Sequence, residues 1–170
     1  GQSADGTKLI GLGTDVGSMG MCYRRDLFAK AGLPTDRDAV GKLWPTWDDY
    51  VTVGEQFKAK NTGAKWFDAA SNTYNTILVQ TAGKDPGYTY FDKSNALVID
   101  SNPAIKQAYD RMLGMIGDGL SAGYKSFSDQ WNAGFKQGTF ATIACPAAGS
   151  PVRGSSRWWR GTFPCDQRRR

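Results

Sequence analysis

The chain has 170 residues, of which 40% are hydrophobic and 22% are charged, a profile typical of one globular domain rather than of a disordered segment. It contains no histidine, which excludes from this chain imidazole metal sites and the nucleophile pairs that need an imidazole base. The net charge of +5 comes from residues 148–170, with six arginines and one aspartate, so the balanced remainder gives no argument for a nucleic-acid surface.

The first predicted elements are short and are separated by turn-forming residues. Residues 8–12 and Met19–Tyr23 are apolar runs without helical spacing, and each is predicted to be a strand. The glycine-containing residues 14–18 between them are predicted to be a loop. Residues 25–31 predict a short helix, because Gly32 is a favourable residue immediately after a helix.

The start of the next helix carries a sharper local signal. Thr46 is predicted to be its N-cap, and Asp49 three residues later completes a variant of the capping box. Apolar residues continue on one face of this segment at Tyr50 and Phe57. The helix is therefore predicted to run to about Lys60.

The rest of the body is predicted to continue the alternation of short strands with helices, which favours α/β packing. One later helix has apolar residues at spacings of three and four, which predicts a stripe that packs in the core: Ile105, Ala108, Tyr109, Met112, Leu113 and Ile116. The remaining predicted elements are a strand at 64–67, a helix capped by Asn72 or Thr73 that reaches Ala82, an extended run at 96–99, a helix capped by Asp100 or Ser101 with Pro103 in its first turn, a helix at 129–136 capped by Ser128, and a strand at 139–144.

The three cysteines, Cys22, Cys145 and Cys165, are too few and too widely spaced to indicate a disulfide framework. Within the body, Cys22 and Cys145 are the pair that could form a bridge. Both lie in apolar runs, where a buried free thiol is the expected state. The sequence therefore favours two buried thiols over a disulfide.

Domain organisation is predicted to be one body, residues 1–147, followed by a basic Arg/Trp/Gly tail, residues 148–170, that forms no domain. The tail has neither helical nor strand periodicity, so it is expected to be inert, to bind anionic surfaces at low salt, or to derive from an altered C-terminus. No apolar run reaches the roughly 18 residues that span a bilayer. The N-terminus lacks signal-peptide features and is expected to be the start of a mature or trimmed chain.

Four blocks of sequence, in this order, resemble the extracellular solute-binding proteins of ABC sugar importers. The first is 14–34, which contains Tyr-Arg-Arg-Asp-Leu-Phe-Ala-Lys-Ala-Gly-Leu, and the second is Pro-Thr-Trp-Asp-Asp at 45–49. The third is Asn-Thr-Ile-Leu-Val-Gln-Thr-Ala-Gly at 75–83. The fourth, at 131–143, is Trp-Asn-Ala-Gly-Phe-Lys-Gln-Gly-Thr-Phe-Ala-Thr-Ile. The resemblance runs from about residue 8 to residue 146, which is most of the chain, and from Ala148 onward the sequence departs from the family pattern.

The resemblance implies a helix-rich α/β fold, namely one lobe of a type II periplasmic-binding-protein-like structure of the maltose- and oligosaccharide-binding kind. Members of the family have two lobes, so the chain corresponds to one. The implied ligand is an oligosaccharide, the implied partner is a membrane permease, and the implied location is extracellular or at the cell surface, on a secreted or lipid-anchored parent. A lone lobe would expose the surface that its partner lobe covers, which predicts self-association. Enzymatic activity, a cofactor and a metal are not implied.

A sugar site needs aromatic faces and short planar polar groups that converge in a concave pocket. Under the resemblance, Asp15 lies in the loop that enters the first crossing strand, where it would accept hydrogen bonds from sugar hydroxyls. Several candidates also have a purely structural interpretation. Asp15 can form an Asx-turn, and Asn72 can mark a helix start. Trp66 and Trp131 can pack in the core, which is the favoured interpretation for Trp66. The candidate ligand-binding residues are Asp15, Gly17, Ser18, Trp66, Asn72, Tyr74, Asn75 and Trp131.

Two other functions are compatible with the sequence. A small secreted interaction or inhibitor protein could reuse such a lobe together with the basic tail. A glycoside hydrolase would need two carboxyl groups across a cleft. Asp48 and Asp49 are adjacent on a helix and point apart, which leaves Asp15 with Asp68 as a pair that nothing else in the sequence supports.

Overall fold

In this computed structural model, Ser3 and residues 5–12, 19–82, 89–146 and 165–166 are described. Within these ranges the chain forms six helices and four strands. In chain order they are β1 (Met19–Tyr23), α1 (Arg25–Lys30), α2 (Arg37–Leu43), α3 (Trp47–Ala59), β2 (Lys65–Phe67), α4 (Ala70–Ala82), α5 (Pro103–Gly117), α6 (Asp129–Gln137), β3 (Phe140–Pro146) and β4 (Cys165–Asp166).

Polar side chains at two helix starts confirm the predicted caps. Thr46 Oγ1 accepts a hydrogen bond from the Asp49 backbone N–H at 3.2 Å, and Asp49 Oδ2 accepts one from the Thr46 N–H at 3.0 Å. Both halves of the capping box are thus formed at α3. Ser128 caps α6 in the same way, because its Oγ accepts from the Trp131 N–H at 3.2 Å.

Two other predicted helix starts were wrong by one to three residues. The N-cap of α5 is Asn102, whose side chain accepts from the Ala104 N–H, rather than Asp100 or Ser101. Helix α4 begins at Ala70, so Asn72 lies inside its first turn. The sequence around both starts offers several capping residues in a row, and tertiary packing decides which of them is used.

The sheet has the order β2-β3-β1-β4. Strand β3 runs parallel to β2 and antiparallel to β1, with Cys22 opposite Ile143, and β4 is antiparallel to β1. Strands β2 and β3 therefore end, and β1 begins, at the same edge of the sheet, which we call the carboxyl edge. Residues 121–127 add to it, because Ser121 bridges Phe67 in parallel and the Ala122 N–H donates to the Phe67 carbonyl at 2.8 Å.

The predicted strand at 8–12 is absent from this sheet. The side chains of Leu9, Ile10 and Leu12 are exposed, and the residues form no strand. Leu9 forms only an isolated bridge, so the run does not extend into a strand of the described sheet. Residues 96–99 likewise contribute only an isolated bridge between Phe91 and Leu97.

The main core is built around one indole ring. Trp66 on β2 is 1% exposed and stands within 5.1–5.7 Å, centroid to centroid, of four other aromatic rings. These rings belong to Phe28, Trp44, Tyr50 and Phe57. Aromatic rings bury large apolar areas and gain further from tilted and edge contacts, so this cluster stabilises the packing of α1 and α3 on the sheet.

A smaller cluster lies on the other side of the sheet. Along β1, Met21 and Tyr23 belong to the main core while Cys22 belongs to the second cluster, as the alternation of side chains in a strand requires. The second cluster also contains Trp131 of α6 and Phe140 of β3. The sheet is therefore covered by α6 on one face and by the larger helical layer on the other.

The predicted core stripe on α5 is correct only in part. Met112 is buried, but Tyr109 and Ile116 are 55% and 43% exposed. The buried face of α5 runs through the predicted Ile105, Ala108 and Met112 and also through Met115, which was not predicted. The helix is turned because α4 packs beside it, so that the ring of Tyr109 meets Tyr74 from the side at 6.3 Å.

Cys22 and Cys145 form a disulfide, which corrects the expectation of two buried free thiols. Cys22 lies on β1 and Cys145 on β3, their Cα atoms are 6.0 Å apart, and this separation is ordinary for a disulfide. Two apolar runs 123 residues apart in sequence give no sign of this pairing, which arises from the β1–β3 register.

Most of the predicted tail, residues 148–170, lies outside the described residues, as do the loop at 14–18 and the body's last residue, 147. Of the tail, Cys165–Asp166 pairs with β1, which the sequence analysis did not predict. Of the helices that the structure describes, none is both long and apolar enough to cross a membrane.

Candidate ligand-binding edge

The carboxyl edge collects the ends of several elements. Strand β2 ends at Phe67, Asp68 and Ala69 follow, and α4 begins at Ala70. The last turn of helix α6 is followed directly by the start of β3, which lies at the opposite edge of the sheet. The first turn of α6 therefore lies toward the carboxyl edge. The predicted site residues Asp15, Gly17 and Ser18 precede β1 in sequence and lie outside the described residues.

Asp68 is buried directly after β2 and is bound to α6. Its Oδ2 accepts a hydrogen bond from Trp131 Nε1 at 2.6 Å, and its backbone carbonyl accepts from the Tyr124 N–H at 3.2 Å. Its Oδ1 is also buried and has no hydrogen-bond partner among the described residues. A buried carboxylate oxygen normally has a partner, so the unsatisfied Oδ1 marks Asp68 as an unusual group at this edge.

Burial raises the pKa of Asp68 to about 6, and the hydrogen bond from Trp131 opposes part of that rise. Among the described residues, Asp68 is the one ionisable acidic or basic residue that is buried. A carboxyl group with a pKa displaced toward neutrality by desolvation is typical of functional sites. Asp68 is therefore the strongest polar candidate at the carboxyl edge.

Phe127 supplies an exposed aromatic face beside this carboxyl. The side chain is 83% exposed, its backbone has φ 66°, and its ring centroid is 5.2 Å from that of Trp131. A bulky residue with positive φ is a genuine outlier, and such strained backbone is concentrated at functional sites. We call Trp131 and Phe127 the ring pair. Next to it in sequence, Ser126 Oγ is buried without a partner in the described structure.

The first turns of α4 contribute amides at the same edge. Asn72 is half-buried and its Nδ2 donates to the Ala144 carbonyl on β3 at 2.5 Å, so its amide oxygen is the group left for other contacts. Asn75, one turn later, is exposed. The structure thus places Asn72 near the end of β3 and joins Asp68 to Trp131 by a hydrogen bond.

Tyr74 belongs to a different group of side chains. Its hydroxyl lies 3.3 Å from that of Tyr90, and its ring meets Tyr109 of α5 edge-on. Burial raises its pKa to about 12, and the hydrogen bond to Tyr90 adds to this rise. Tyr74 is therefore placed on the α4–α5 side of the lobe.

Trp66, also a predicted site residue, lies at the centre of the main core. Its ring is enclosed by four aromatic neighbours and has no exposed face with which to stack on a sugar.

In contrast, sequence reasoning missed Phe127. No local pattern marks that residue, because its significance lies in its exposure, its backbone φ and its contact with Trp131.

Within the ranges that the structure describes, no three or more Cys, Asp or Glu side chains are grouped to hold a metal ion. The arrangement at the carboxyl edge instead combines aromatic faces with carboxylate and amide oxygens. Such a combination suits a neutral, hydroxylated ligand.

Comparison with known proteins identifies the family. Residues 1–152 match the family described as bacterial extracellular solute-binding protein. This chain belongs to that family. The match confirms the family resemblance of the four sequence blocks, and it indicates an extracellular or periplasmic location.

Individual solute-binding proteins agree with the match. The arabinooligosaccharide-binding protein of Bacillus subtilis (strain 168) is 28% identical over 159 residues, which are 92% of this chain and 32% of that protein. The crystal structure of a family 1 extracellular solute-binding protein is 36% identical, with a TM-score of 0.82 over 96% of this chain and 41% of that chain. The ABC transporter associated binding protein from B. animalis subsp. lactis Bl-04, in complex with β-1,6-galactobiose, has a TM-score of 0.61 at 17% identity over 84% of this chain and 35% of that chain.

The chain thus spans about a third of the length of the Bacillus subtilis protein and about two-fifths of the family 1 structure. Its small mixed sheet between helical layers is one lobe of the periplasmic-binding-protein-like α/β fold. The predicted fold class is therefore confirmed.

Proposed function

We propose that this chain is a carbohydrate-binding lobe, or part of one, of the substrate-binding component of an ABC transporter. The observation that carries the proposal is the family match over residues 1–152. The names of relatives support a sugar as the ligand, since they mention arabinooligosaccharide and β-1,6-galactobiose. We infer a neutral oligosaccharide, held from this side by the carboxyl edge.

The site would use two kinds of contact. Phe127, backed by Trp131, offers an aromatic face to the apolar side of a sugar ring. Asn72 and Asn75 supply acceptors and donors for hydroxyl groups, and the buried Asp68 holds Trp131 behind the aromatic face. Asp15, Gly17 and Ser18, which precede β1 in sequence, are proposed to complete this side of the site. Tyr74 would be reached only by a ligand that extends across α4.

We infer that the chain binds its ligand without cleaving it. Glycoside hydrolysis needs a pair of carboxyl groups about 5–10 Å apart, one of them ionised. Asp68 is buried and bound to an indole rather than paired with a second buried carboxyl in the described structure. An assay for released reducing ends, run on the same oligosaccharides, is expected to stay at the level of the buffer.

Proposed partners are a second lobe and a membrane permease, on a parent protein that is secreted or lipid-anchored. In such receptors the ligand shifts the population toward a closed form in which both lobes contribute contacts. This chain alone would therefore bind weakly, with a Kd of roughly millimolar order.

Isothermal titration calorimetry tests the proposal. The 170-residue chain is titrated with arabinooligosaccharides and with β-1,6-galactobiose, beside the variants Phe127→Ala and Asp15→Ala. We expect a saturable isotherm that weakens by about tenfold in Phe127→Ala, since a stacked ring contributes on the order of 1–2 kcal/mol. The control is Phe91→Ala, which removes an exposed ring from another segment and should leave affinity unchanged. Absence of heat with every sugar would contradict the proposal, as would equal loss in both phenylalanine variants.

Exposed apolar side chains near the N-terminus support self-association of the free lobe. Leu9, Ile10 and Leu12 are each more than two-thirds exposed, and such a run favours contact with another surface. Sedimentation velocity is expected to show a concentration-dependent increase in mass that the double variant Leu9→Lys/Leu12→Lys reduces. A monomer at all concentrations would rule out this part of the proposal.

A further inference from the structure

The hydrogen bond between Asp68 and Trp131 joins two elements that are otherwise distant in sequence. Asp68 follows β2, and Trp131 lies in the first turn of α6, 63 residues later. Both side chains are buried, so the bond is shielded from water. The Trp131 ring in turn contacts Phe127 at 5.2 Å and Phe135 at 4.5 Å. The carboxyl group thus holds the inner member of the ring pair, and the exposed member rests on it.

We propose that Asp68 is a positioning residue whose hydrogen bond to Trp131 sets the orientation of the ring pair, and whose protonation state changes how firmly that pair is held. The proposal deepens the proposed function and rests on it only where it concerns ligand affinity. The arrangement of the side chains in the free lobe can be tested without any sugar.

The physical basis is the difference between a charged and a neutral acceptor. A hydrogen bond to an ionised carboxylate is shorter and roughly twice as strong as one to a neutral group. Burial raises the pKa of Asp68 to about 6, so the carboxyl is mostly ionised at neutral pH and mostly protonated at pH 5. Trp131 is then held by the stronger bond at neutral pH and by the weaker one below pH 6.

Among the described residues, the charged and titratable groups near Asp68 do not share its protonation change. Tyr50 of α3 faces it: burial raises the pKa of Tyr50, and the charge of Asp68 adds to that rise, so Tyr50 stays protonated throughout this range. Helix α4 has no acid in its first turn and no base in its last turn. The other charged and titratable side chains on the neighbouring elements are exposed or form hydrogen bonds with groups other than Asp68. They are Lys65 on β2, Asp48, Asp49, Glu55 and Lys58 on α3, Tyr124 and Lys125 before α6, and Asp129 and Lys136 on α6.

Nuclear magnetic resonance of the indole N–H groups tests the proposal directly. The full chain, labelled with 15N-tryptophan, gives at most six indole signals, and the variant Trp131→Phe identifies the one from Trp131. We expect this signal to move downfield as pH rises, with a midpoint near 6, and to be independent of pH in Asp68→Asn. The amide oxygen of Asn still accepts the hydrogen bond, so this variant keeps the contact and removes only the titration. A wild-type signal that does not titrate near pH 6, or a titration that persists in Asp68→Asn, overturns the proposal.

A second measurement tests the effect on ligand affinity. For an arabinooligosaccharide, we expect the Kd of the wild type to weaken by about fivefold from pH 7 to pH 5, as expected for the loss of about one hydrogen bond's contribution. The Kd of Asp68→Asn should be the same at both pH values. If the indole titrates but the wild-type Kd does not change, the link to affinity is refuted. Failure of the proposed function looks different, since no sugar would then bind at any pH while the indole signal still titrates.

Discussion

At the scale of single residues, Gly54 shows how α3 can lie so close to the central indole. A Cβ at this position would stand 2.5 Å from Cδ1 of Trp66, closer than real Cβ contacts come. Because Trp66 is itself surrounded by aromatic rings, it has no room to move aside. The absence of a side chain at Gly54 is thus a requirement of the core.

We expect Gly54→Ala to lower the free energy of unfolding by about 1–3 kcal/mol, because the overpacking outweighs the gain in helix propensity. The control is Gly114→Ala, in the last turn of α5, where an added Cβ meets nothing within 4 Å. That variant should gain up to about 1 kcal/mol. Urea denaturation measures both, and equal stabilisation by the two substitutions would contradict the packing argument.

Asp68 makes stability depend on pH. Its pKa is about 6 in the folded protein against 3.8 for an ordinary aspartate, so the folded state binds the proton more tightly than the unfolded chain. The contribution of Asp68 to stability is therefore most favourable below about pH 4, falls as pH rises from 4 to 6, and is a constant penalty above 6. Two pKa units correspond to a penalty of about 3 kcal/mol.

Asp68→Asn should remove this dependence. We expect the variant to be more stable than the wild type at pH 7, by up to about 3 kcal/mol, and the two to converge near pH 4. Thermal unfolding followed from pH 4 to pH 7 measures the difference. Asp100→Asn, at an exposed position outside the helices, is the control and should run parallel to the wild type. A constant gap between Asp68→Asn and the wild type across this range would refute the assignment.

At the scale of elements, α3 shows what a local signal can predict. Its capping box joins residues three positions apart, so sequence alone locates the start of the helix.

Thr46→Ala should lower the free energy of unfolding by about 1 kcal/mol, whereas Thr46→Ser should retain most of the stability that the cap provides. Thr52→Ala is a matched control, because the Thr52 hydroxyl only bonds back to the Asp48 carbonyl within the helix. Chemical denaturation in which Thr46→Ala and Thr52→Ala lose the same amount would argue against the cap.

Helix α5 and residues 8–12 show why other elements could not be predicted as well. Periodicity identified α5, but it could not say that α4 would turn Tyr109 outward and bring Met115 into the core. An apolar run at 8–12 indicates a strand only if a partner strand is available. Both properties depend on neighbours that are remote in sequence.

The candidate site likewise contains residues that the sequence predicts and features that depend on three-dimensional contacts. Asn72, Asn75 and Trp131 were found from residue type and family resemblance. The bond between Trp131 and Asp68, and the exposed ring of Phe127, depend on contacts that the sequence does not encode locally. Trp66 has the residue type of a sugar-stacking side chain, and only the three-dimensional packing shows that it lies in the core.

At the scale of the whole molecule, the Cys22–Cys145 bridge ties β1 to β3 across 123 residues of chain. In the loop-closure model, a crosslink of this span stabilises the fold by about 5 kcal/mol. We expect the double variant Cys22→Ser/Cys145→Ser to unfold at a much lower urea concentration. Dithiothreitol should have the same effect on the wild type and none on the double variant. Cys165→Ser is the control that keeps the bridge, and destabilisation of that variant by an equal amount would contradict this account.

All six described helices and β2 lie between Cys22 and Cys145, so the disulfide closes this part of the chain into one covalent loop. A protease that cuts one surface bond inside this loop opens it without releasing a fragment. Nicked molecules would keep their mass and migrate as one band until a reductant separates the two pieces. A preparation that looks intact on a non-reducing gel can therefore already be cut.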